Sequence, residues 1–338
     1  MADRTPPETH IAPDDHPIND VDSDSAFGDL EGSSSTTSIT TSVLHYRREN
    51  GRTYHAYKDG KYTLPNDEME NERLDLQHNL LILTLNDKLG LAPPNNRDSK
   101  VKHVLDVGTG TGIWALDFAD EHPEAEVIGV DLSPIQPSFV PPNLSFQIDD
   151  IEDDWTYSKP FDYIHSSFMT ASIANWTEFL TKCFNNLEPG GYVEIQEPDL
   201  AWKSDDGSLA PDSALLQCAQ LLQQASEKFG RAYQDIPSLV NIMKEIGFVD
   251  VVIETFKWPN NPWPKDKRLT ELGAWVFENF SGGLEGITLA PLTRAHGWSP
   301  HTVRIFLVDV RKALGDKNIH AYMPIYSIYG RRPKIGTE

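Results

Sequence analysis

The segment 106–112 reads DVGTGTG, in which an acidic residue is followed by three glycines at alternate positions. Those glycines, which lack a Cβ atom and let the backbone pass close to a ligand, are Gly108, Gly110 and Gly112. The dinucleotide pattern G-x-G-x-x-G needs a glycine where Ile113 stands, and the phosphate loop G-x-x-x-x-G-K-S/T is absent. The pattern therefore disfavours a diphosphate ligand, whereas the carboxylate of Asp106 suits a cationic amine.

Acidic residues also end the next two predicted strands. Asp131 follows Gly112 by 19 residues, and a carboxylate there can accept hydrogen bonds from both hydroxyls of a ribose. The third predicted strand ends in Asp149, Asp150 and Ile151. We expect Asp150 to accept from an adenine amino group and the backbone N–H of Ile151 to donate to a ring nitrogen. Each feature alone fits an ordinary turn or helix cap, but together they predict S-adenosylmethionine (SAM) as the cofactor.

Composition narrows the class of protein. The net charge of −22 argues against general attraction to nucleic acid or to an anionic membrane. The two cysteines, Cys183 and Cys218, have no metal-like spacing, so we predict no metal site and a reducing compartment. No apolar run is long enough for a membrane span, and the N-terminus lacks the features of a signal peptide. These observations predict a cytoplasmic or nuclear location.

The N-terminal segment differs in composition from the rest of the chain. Residues 1–42 carry nine acidic residues and one basic residue, together with a Ser/Thr run at 33–38. Few apolar side chains are available there to offset the entropy of ordering, so we predict a disordered acidic tail. We predict that residues 43–338 form one domain with an N-terminal helical extension and C-terminal insertions around an acceptor site.

Strands and helices alternate in the first half of this domain. After a helix at 67–88, the predicted strands lie at 103–108, 125–132, 144–150, 161–167 and 192–198, with helices at 112–122 and 175–191. The alternation indicates βαβ units in a mostly parallel sheet with helices on both faces, which binds ligands at the carboxyl ends of its strands. The second half contains predicted helices at 211–231, 238–248, 269–280 and 299–314 and predicted strands at 249–258 and 321–333.

The chain resembles the class I SAM-dependent methyltransferases and, within them, the fungal LaeA-like family. The similarity extends over about residues 45–333, and the string DLSPIQPSFVPPN at 131–143 is especially specific. Other matching pieces are the ranges 51–80, 106–155, 161–169, 187–199 and 319–333. The resemblance implies an α/β Rossmann-like fold with a seven-stranded sheet and an antiparallel last strand. It also implies that the cofactor is held by Asp106, Gly108, Gly110, Gly112, Asp131 and Asp150.

Methyl transfer gains much from proximity, and a general base helps when the acceptor is a hydroxyl. His165 on the fourth predicted strand is one candidate base, although a histidine on a strand is commonly a packed structural group. Glu194 and Glu197 on the fifth strand are further candidates, with salt bridges or caps as the alternative. His296 is a candidate in the C-terminal region, where a surface loop position is the alternative.

Aromatic side chains are concentrated after the fifth predicted strand. They are Trp202, Trp258, Trp263, Trp275, Phe277, Phe280 and Trp298. Some of them are expected to wall an acceptor pocket for a flat polyketide-like or indole-like molecule, and the others to form ordinary core. The run PNNPWP at 259–264 is predicted to be an exposed, stiff loop beside that pocket.

The family resemblance leaves two functions open. The first is a SAM-dependent methyltransferase that methylates a small molecule, on oxygen, in fungal secondary metabolism. The alternative is a LaeA-like nuclear regulator that keeps the fold and acts through protein partners. An NAD-dependent enzyme is disfavoured by Ile113 and Asp106, and the acidity makes an RNA substrate less attractive than a small molecule or a protein.

Overall fold

The structure, a computed structural model, describes residues 45–336, so the predicted tail at 1–42 lies outside the described residues. Its strands are β1 (Arg47–Glu49), β2 (Arg52–Tyr54), β3 (His103–Val107), β4 (Glu126–Asp131), β5 (Leu144–Ile148), β6 (Phe161–Ser167), β7 (Leu187–Pro198), β8 (Val249–Pro259) and β9 (Tyr322–Arg331). Its α-helices are α1 (Glu68–Thr84), α2 (Ile113–Glu121), α3 (Trp176–Asn186), α4 (Ala214–Lys228), α5 (Leu239–Ile246), α6 (Lys267–His296) and α7 (Pro300–Gly315). Short 3-10 helices lie at Pro93–Asn95 and Ile236–Ser238.

Seven strands form one sheet in the order β5-β4-β3-β6-β7-β9-β8. Strands β3 to β7 run parallel to one another, whereas β9 is inserted between β7 and β8 and is antiparallel to both. The predicted seven-stranded, mostly parallel sheet with an antiparallel last strand is confirmed. Because β3 lies centrally with crossovers leaving on both sides, its carboxyl end is the switch point where ligands bind in such sheets.

Apolar packing covers both faces of the sheet. Val104 belongs to the same apolar cluster as Trp114 and other residues of α2, while its neighbour Leu105 belongs to the cluster that contains Leu180 of α3 and Met243 of α5. Successive residues of a strand point to opposite faces, so these two clusters put helices on both sides. A third apolar cluster joins helices α1, α4, α6 and α7 and adds a helical layer to the sheet.

Several helix boundaries differ from the sequence-based expectation. Helix α3 ends at Asn186, and residues 187–191, predicted as the end of this helix, instead begin strand β7. Helix α1 begins after Asp67, whose side chain accepts a hydrogen bond from the N–H of Glu70, and not after Asn66. It ends at Thr84, because Asn86 and Asp87 take left-handed conformations with φ of 59° and 60°. The end predicted at residue 88 was therefore too late.

Helix α6 is thirty residues long, although only 269–280 was predicted as helix. Its glycines make room for side chains of the N-terminal region. A Cβ atom on Gly283 would lie 2.3 Å from Cδ of Arg73, and one on Gly286 would lie 3.0 Å from a guanidinium nitrogen of Arg52. Residues that ordinarily weaken a helix serve here to bring α6 close to α1, which a local pattern does not reveal.

Glu194 of β7 connects the sheet to the segment after α1. One carboxylate oxygen accepts from the N–H of Leu91 and the hydroxyl of Ser327, each at 2.8 Å. The other accepts from the N–H of Ala92 and the hydroxyl of Tyr163, each at 2.9 Å. Glu194 is fully buried and does not line the large cavity described below, so its position supports a structural role and not that of a base.

We expect Glu194→Ala to lower the free energy of unfolding by about 3–5 kcal/mol, because four buried donors lose their acceptor. Urea denaturation followed by tryptophan fluorescence measures this loss. Glu254→Ala on the exposed face of β8 is the matched control and should change the stability by less than about 0.5 kcal/mol. Equal effects of the two substitutions would contradict the assigned role of Glu194.

Candidate active site

A cavity of about 310 Å³ lies at the carboxyl ends of the parallel strands. One side is formed by the glycine loop and the ends of β4 and β5, and the other by the loop after β6 and residues of α1, α4, α6 and α7. Asp106, Gly108, Gly110, Asp131, Asp150 and Ile151 all line it. The sequence-predicted cofactor residues therefore lie together, with Gly112 just beyond the wall.

The glycine loop owes its shape to left-handed backbone conformations. Gly108, Gly110 and Gly112 have φ values of 70°, 56° and 84°. A Cβ atom on Gly108 would lie 2.3 Å from Sδ of Met169, which belongs to the loop after β6. The loop is therefore both a backbone turn that disfavours other residues and a surface against which Met169 packs.

Asp106 is buried below the glycine loop with both carboxylate oxygens hydrogen-bonded. The hydroxyl of Thr109 donates to one oxygen at 2.6 Å, and Nδ1 of His165 lies 2.7 Å from the other. The His165 ring stacks on Trp114 with centroids 3.8 Å apart. His165 is fully buried and does not line the cavity, so the structure does not bring this predicted base to an acceptor. Its contacts make it a positioning group for Asp106.

Asp131 lies at the end of β4 on the cavity wall. Its carboxylate accepts hydrogen bonds from the N–H groups of Gly110 and Ser133, each at 2.9 Å. Burial raises the pKa of this carboxyl to about 6 against the effect of those two donors. A carboxylate held by the backbone at this position remains available to polar groups of a ligand.

Asp150 lies in the turn after β5 and is paired with the N-terminal segment. Lys61 donates from Nζ to the buried Asp150 carboxylate, and Nζ of Lys58 lies 3.9 Å from the same oxygen. Ile151 lines the cavity beside it and also packs on the main core. The segment around Lys61 was not recognised from the sequence as part of the site.

Glu152 joins four separate segments at the rim of the cavity. It pairs with Arg231 at 2.8 Å and with Lys61 at 2.9 Å, and it accepts from the N–H of Ala174 at 2.7 Å. Burial alone would raise the pKa of Glu152, but the hydrogen bonds from Arg231, Ala174 and Lys61 lower it to about 2. This ionic cluster holds the N-terminal segment and the segment after α4 over the cofactor side.

The far part of the cavity is an apolar chamber. Its walls come from helices outside the βαβ scaffold and from the segment after β7, and they include Trp202, Leu215, Leu222, Phe280, Leu284 and Ile287. Of the aromatic residues predicted for an acceptor pocket, Trp202 and Phe280 lie on this wall. Trp275 is half exposed, and Trp258 is fully buried with its indole N–H donating to the Thr84 hydroxyl at 2.7 Å.

Two predictions about the acceptor region require correction, one on the segment 259–264 and one on His296. The segment 259–264 is buried apart from the partly exposed Pro262, because the Asn260 and Asn261 amides donate to the carbonyl of Leu314. It is therefore neither exposed nor on the cavity wall. His296 is also away from the cavity, since its Nε2 lies 2.9 Å from the carbonyl of Leu221.

Glu197 of β7, another candidate base, has a structural role at this edge of the cavity. Its buried carboxylate accepts from the N–H groups of Met169 and Thr170 at 2.6 and 2.8 Å. Burial raises its pKa to about 7 despite these donors. Glu197 does not line the cavity but fixes the loop that does, so it supports the position of Met169 against the glycine loop.

Residues of α1 on the cavity wall were missed by the sequence analysis. They include Arg73, Gln77 and His78. Polar residues on a helix that is buried on several sides give no clear amphipathic pattern, so the cavity-facing side could not be recognised. No helix within residues 45–336 is long and apolar enough to cross a bilayer, and these residues contain no metal-binding cluster of His, Cys, Asp and Glu.

The sheet order, the glycine loop after the central strand and the carboxylates at three strand ends define a class I methyltransferase. The residues present fit SAM, because the glycine loop leaves no room for a Cβ atom at Gly108 and the carboxylates of Asp106, Asp131 and Asp150 line the same cavity. SAM carries an amine, a ribose and an adenine amino group that such carboxylates can accept from. The methyltransferase domain family model matches residues 77–254.

Sequence relatives refine the classification. Methyltransferase pytC of Aspergillus terreus is 41% identical over 94% of this chain and 97% of its own length. Probable methyltransferase tdiE of Emericella nidulans is 34% identical over 87% and 92%. Secondary metabolism regulator laeA of Aspergillus fumigatus is 37% identical over 85% and 76%. The chain belongs to the fungal LaeA-like family of SAM-dependent methyltransferases.

We expect Gly108→Ala to weaken SAM binding at least about tenfold, because the new Cβ atom collides with Met169 in a backbone conformation that disfavours alanine. Isothermal titration calorimetry measures the affinity. Gly282→Ala is the matched control, since a Cβ atom there meets nothing within 4 Å, and its affinity should equal that of the wild type. Undiminished binding by Gly108→Ala would contradict the proposed cradle.

We also expect the contribution of Glu152 to stability to disappear in acid. Its pKa in the folded protein, about 2, lies below the ordinary value of 4.5, so the contribution is complete above pH 4.5 and is lost as pH falls toward 2. The stability difference between wild type and Glu152→Gln should therefore shrink by roughly 1–2 kcal/mol across that interval, since solvent screens an ionic cluster at the rim. Urea denaturation at several pH values measures it. A stability difference that does not change with pH would contradict the ionic cluster. Glu124→Gln, at an exposed position, is the control.

Proposed function

We propose that this methyltransferase transfers a methyl group from SAM to a hydroxyl oxygen of a small apolar molecule in fungal secondary metabolism. The observation that carries the proposal is the apolar chamber that continues directly from the cofactor side of the cavity. Its walls are side chains such as Trp202 and Phe280, which favour a flat hydrophobic acceptor. A long polypeptide or polyanionic substrate has little to contact in such a chamber.

In this proposal the carboxylates orient the cofactor. Asp106 lies beneath the loop and faces the methionyl ammonium, with Thr109 and His165 fixing its orientation. Asp131 accepts from the ribose hydroxyls, and Asp150 from the adenine amino group, while the backbone N–H of Ile151 donates to the ring. Lys61 must then release or share Asp150 when the adenine binds, because both compete for one buried carboxylate.

When bound, SAM supplies a methyl group on a positively charged sulfur. The residues of this chain contribute by holding the acceptor oxygen in line with that methyl group and by excluding water from the chamber. Met169 and the loop fixed by Glu197 lie where the glycine loop meets the chamber. Their rigidity limits the acceptor to orientations from which direct displacement is possible.

The relatives support two readings of biological role. The proteins pytC and tdiE carry methyltransferase names, which supports an enzyme of a biosynthetic pathway. The identity of 37% with laeA supports the alternative, a regulator that acts through protein partners. We favour the enzyme, since the chamber has the apolar walls that suit a small-molecule acceptor.

Titration with SAM and a methyl-transfer screen test the proposal together. We expect the wild type to bind SAM and Asp131→Ala to bind at least about tenfold more weakly, since the ribose loses a charged acceptor. The exposed Asp120→Ala on α2 serves as the control and should bind normally. The screen uses labelled SAM with phenolic polyketides and hydroxyindoles and detects methylated products by mass spectrometry.

The outcomes of this experiment separate the alternatives. Labelled small-molecule products support the enzyme, with the methylated atom read from the product. SAM binding without any labelled small molecule, combined with labelling of proteins in a fungal extract, would favour the regulator. Folded protein that does not bind SAM would overturn the cofactor assignment itself.

A further inference from the structure

Helix α1 runs along the boundary between the cofactor side and the apolar chamber. Beside the glycine loop, Cδ1 of Leu74 lies 3.6 Å from the position that a Cβ atom on Gly110 would take. The next residue, Asp75, accepts a hydrogen bond from the hydroxyl of Thr111 at 2.6 Å. About two turns later, Leu81 belongs to the apolar cluster that surrounds the chamber. A residue between them on the same face lies where cofactor and acceptor meet.

His78 occupies that position. It lies four residues after Leu74 and three before Leu81, and all three line the cavity. Among the described residues of the cavity wall, His78 is the only histidine. A helix places residues three and four apart on one face, so His78 is located between the glycine loop and the acceptor chamber.

The hydrogen bond of His78 leaves one ring nitrogen for another partner. Nε2 lies 2.9 Å from a carboxylate oxygen of Asp117 on α2, while within residues 45–336 no hydrogen bond to Nδ1 occurs. The His78 side chain is 8% exposed and that of Asp117 is 51% exposed. The pair therefore connects the inside of the cavity with the solvent.

We propose that His78 is the general base that accepts the proton of the acceptor hydroxyl and that Asp117 orients it; this inference rests on the proposed O-methylation. Asp117 holds the proton of the neutral ring on Nε2, which leaves the lone pair on Nδ1. The hydroxyl proton moves to Nδ1 as its oxygen bonds to the methyl carbon, and the electrons of the carbon–sulfur bond go to sulfur. Once the product has left, the imidazolium releases its Nδ1 proton to water while Asp117 keeps the other proton on Nε2. This restores the neutral base, and the positive charge that SAM brought leaves as the released proton, so charge and atoms balance.

Several charged groups on the cavity wall, or beside it on α1, are bound to other partners. On the cofactor side, the Asp106 and Asp131 carboxylates are held by the glycine loop. Lys61 and Arg231 pair with Glu152 at the rim. On α1 itself, Arg73 pairs with Glu70, and Asp75 is bound to Thr111. His78 instead pairs with Asp117, which does not line the cavity and is half exposed to solvent.

The tautomer of His78 gives a test that needs no acceptor. Long-range ¹H–¹⁵N NMR spectra of the full chain, assigned by comparison with His78→Gln, should show the proton of the neutral ring on Nε2. Addition of S-adenosylhomocysteine should shift the Nδ1 resonance, whereas the control, His103, which pairs with Glu126 at the amino end of β3, should not shift. A proton on Nδ1, or no response of His78, would overturn the proposal.

Kinetics with a phenolic acceptor from the screen, for which 7-hydroxycoumarin is the first probe, test the same role. His78→Gln should lower kcat about a hundredfold near neutral pH with little change in KM or in SAM affinity. The deficit should narrow at high pH, where the phenol ionises without help. Asp117→Asn should shift the acidic limb of the kcat profile, whereas His103→Gln should leave the profile unchanged.

The results distinguish this inference from the proposed function. An active wild type whose His78→Gln variant has the same kcat profile overturns the role of His78 and leaves O-methylation standing. A wild type that binds SAM but methylates no hydroxyl overturns the proposed function, and the NMR result then decides the state of His78 separately. Loss of folding in His78→Gln is recognised by thermal unfolding, in which case His78→Asn replaces it.

Discussion

The buried carboxylate of Asp106 is the interaction on which the rest of the site depends. Thr109 donates to it from the glycine loop and His165 contacts it from the neighbouring strand, so one charge fixes both the turn and the pairing of β3 with β6. His165 in turn stacks on Trp114, at the first turn of α2. A buried charge is tolerated only where its partners are complete, and that requirement makes the loop, the strand and the helix one unit.

Much of this arrangement could be predicted from the sequence. The glycine loop, Asp131 and Asp150 follow strands that are short apolar runs, and the carboxyl ends of parallel strands necessarily share an edge. The assignment of His165 as a base did not follow in the same way, because a strand pattern does not tell which face of a doubly covered sheet looks toward a ligand. Here the His165 side chain packs against Trp114 and not against the chamber.

The helical layer was less predictable for a different reason. Gly283, Gly286 and Pro291 have low helix propensity, yet all three lie inside α6. The two glycines face Arg73 and Glu70 of α1, and this close approach offsets their poor propensity. The cavity-facing side of α1 was hidden by polar residues that are buried by partners distant in sequence, such as Asn279 beside Arg73. Local sequence patterns indicate where a helix forms, but they do not indicate which helix, distant in sequence, packs against it.

The division of the cavity has a consequence for how such proteins diverge. The methyltransferase domain match ends at residue 254, before α6 and α7, and both of those helices contribute to the chamber walls. Substitutions such as those at Phe280 or Val310 therefore alter the shape offered to an acceptor without touching the strand-end carboxylates. A duplicated gene can in this way acquire a new substrate while it keeps an intact cofactor side. The fold therefore separates the residues that vary with the substrate from those that methyl transfer requires.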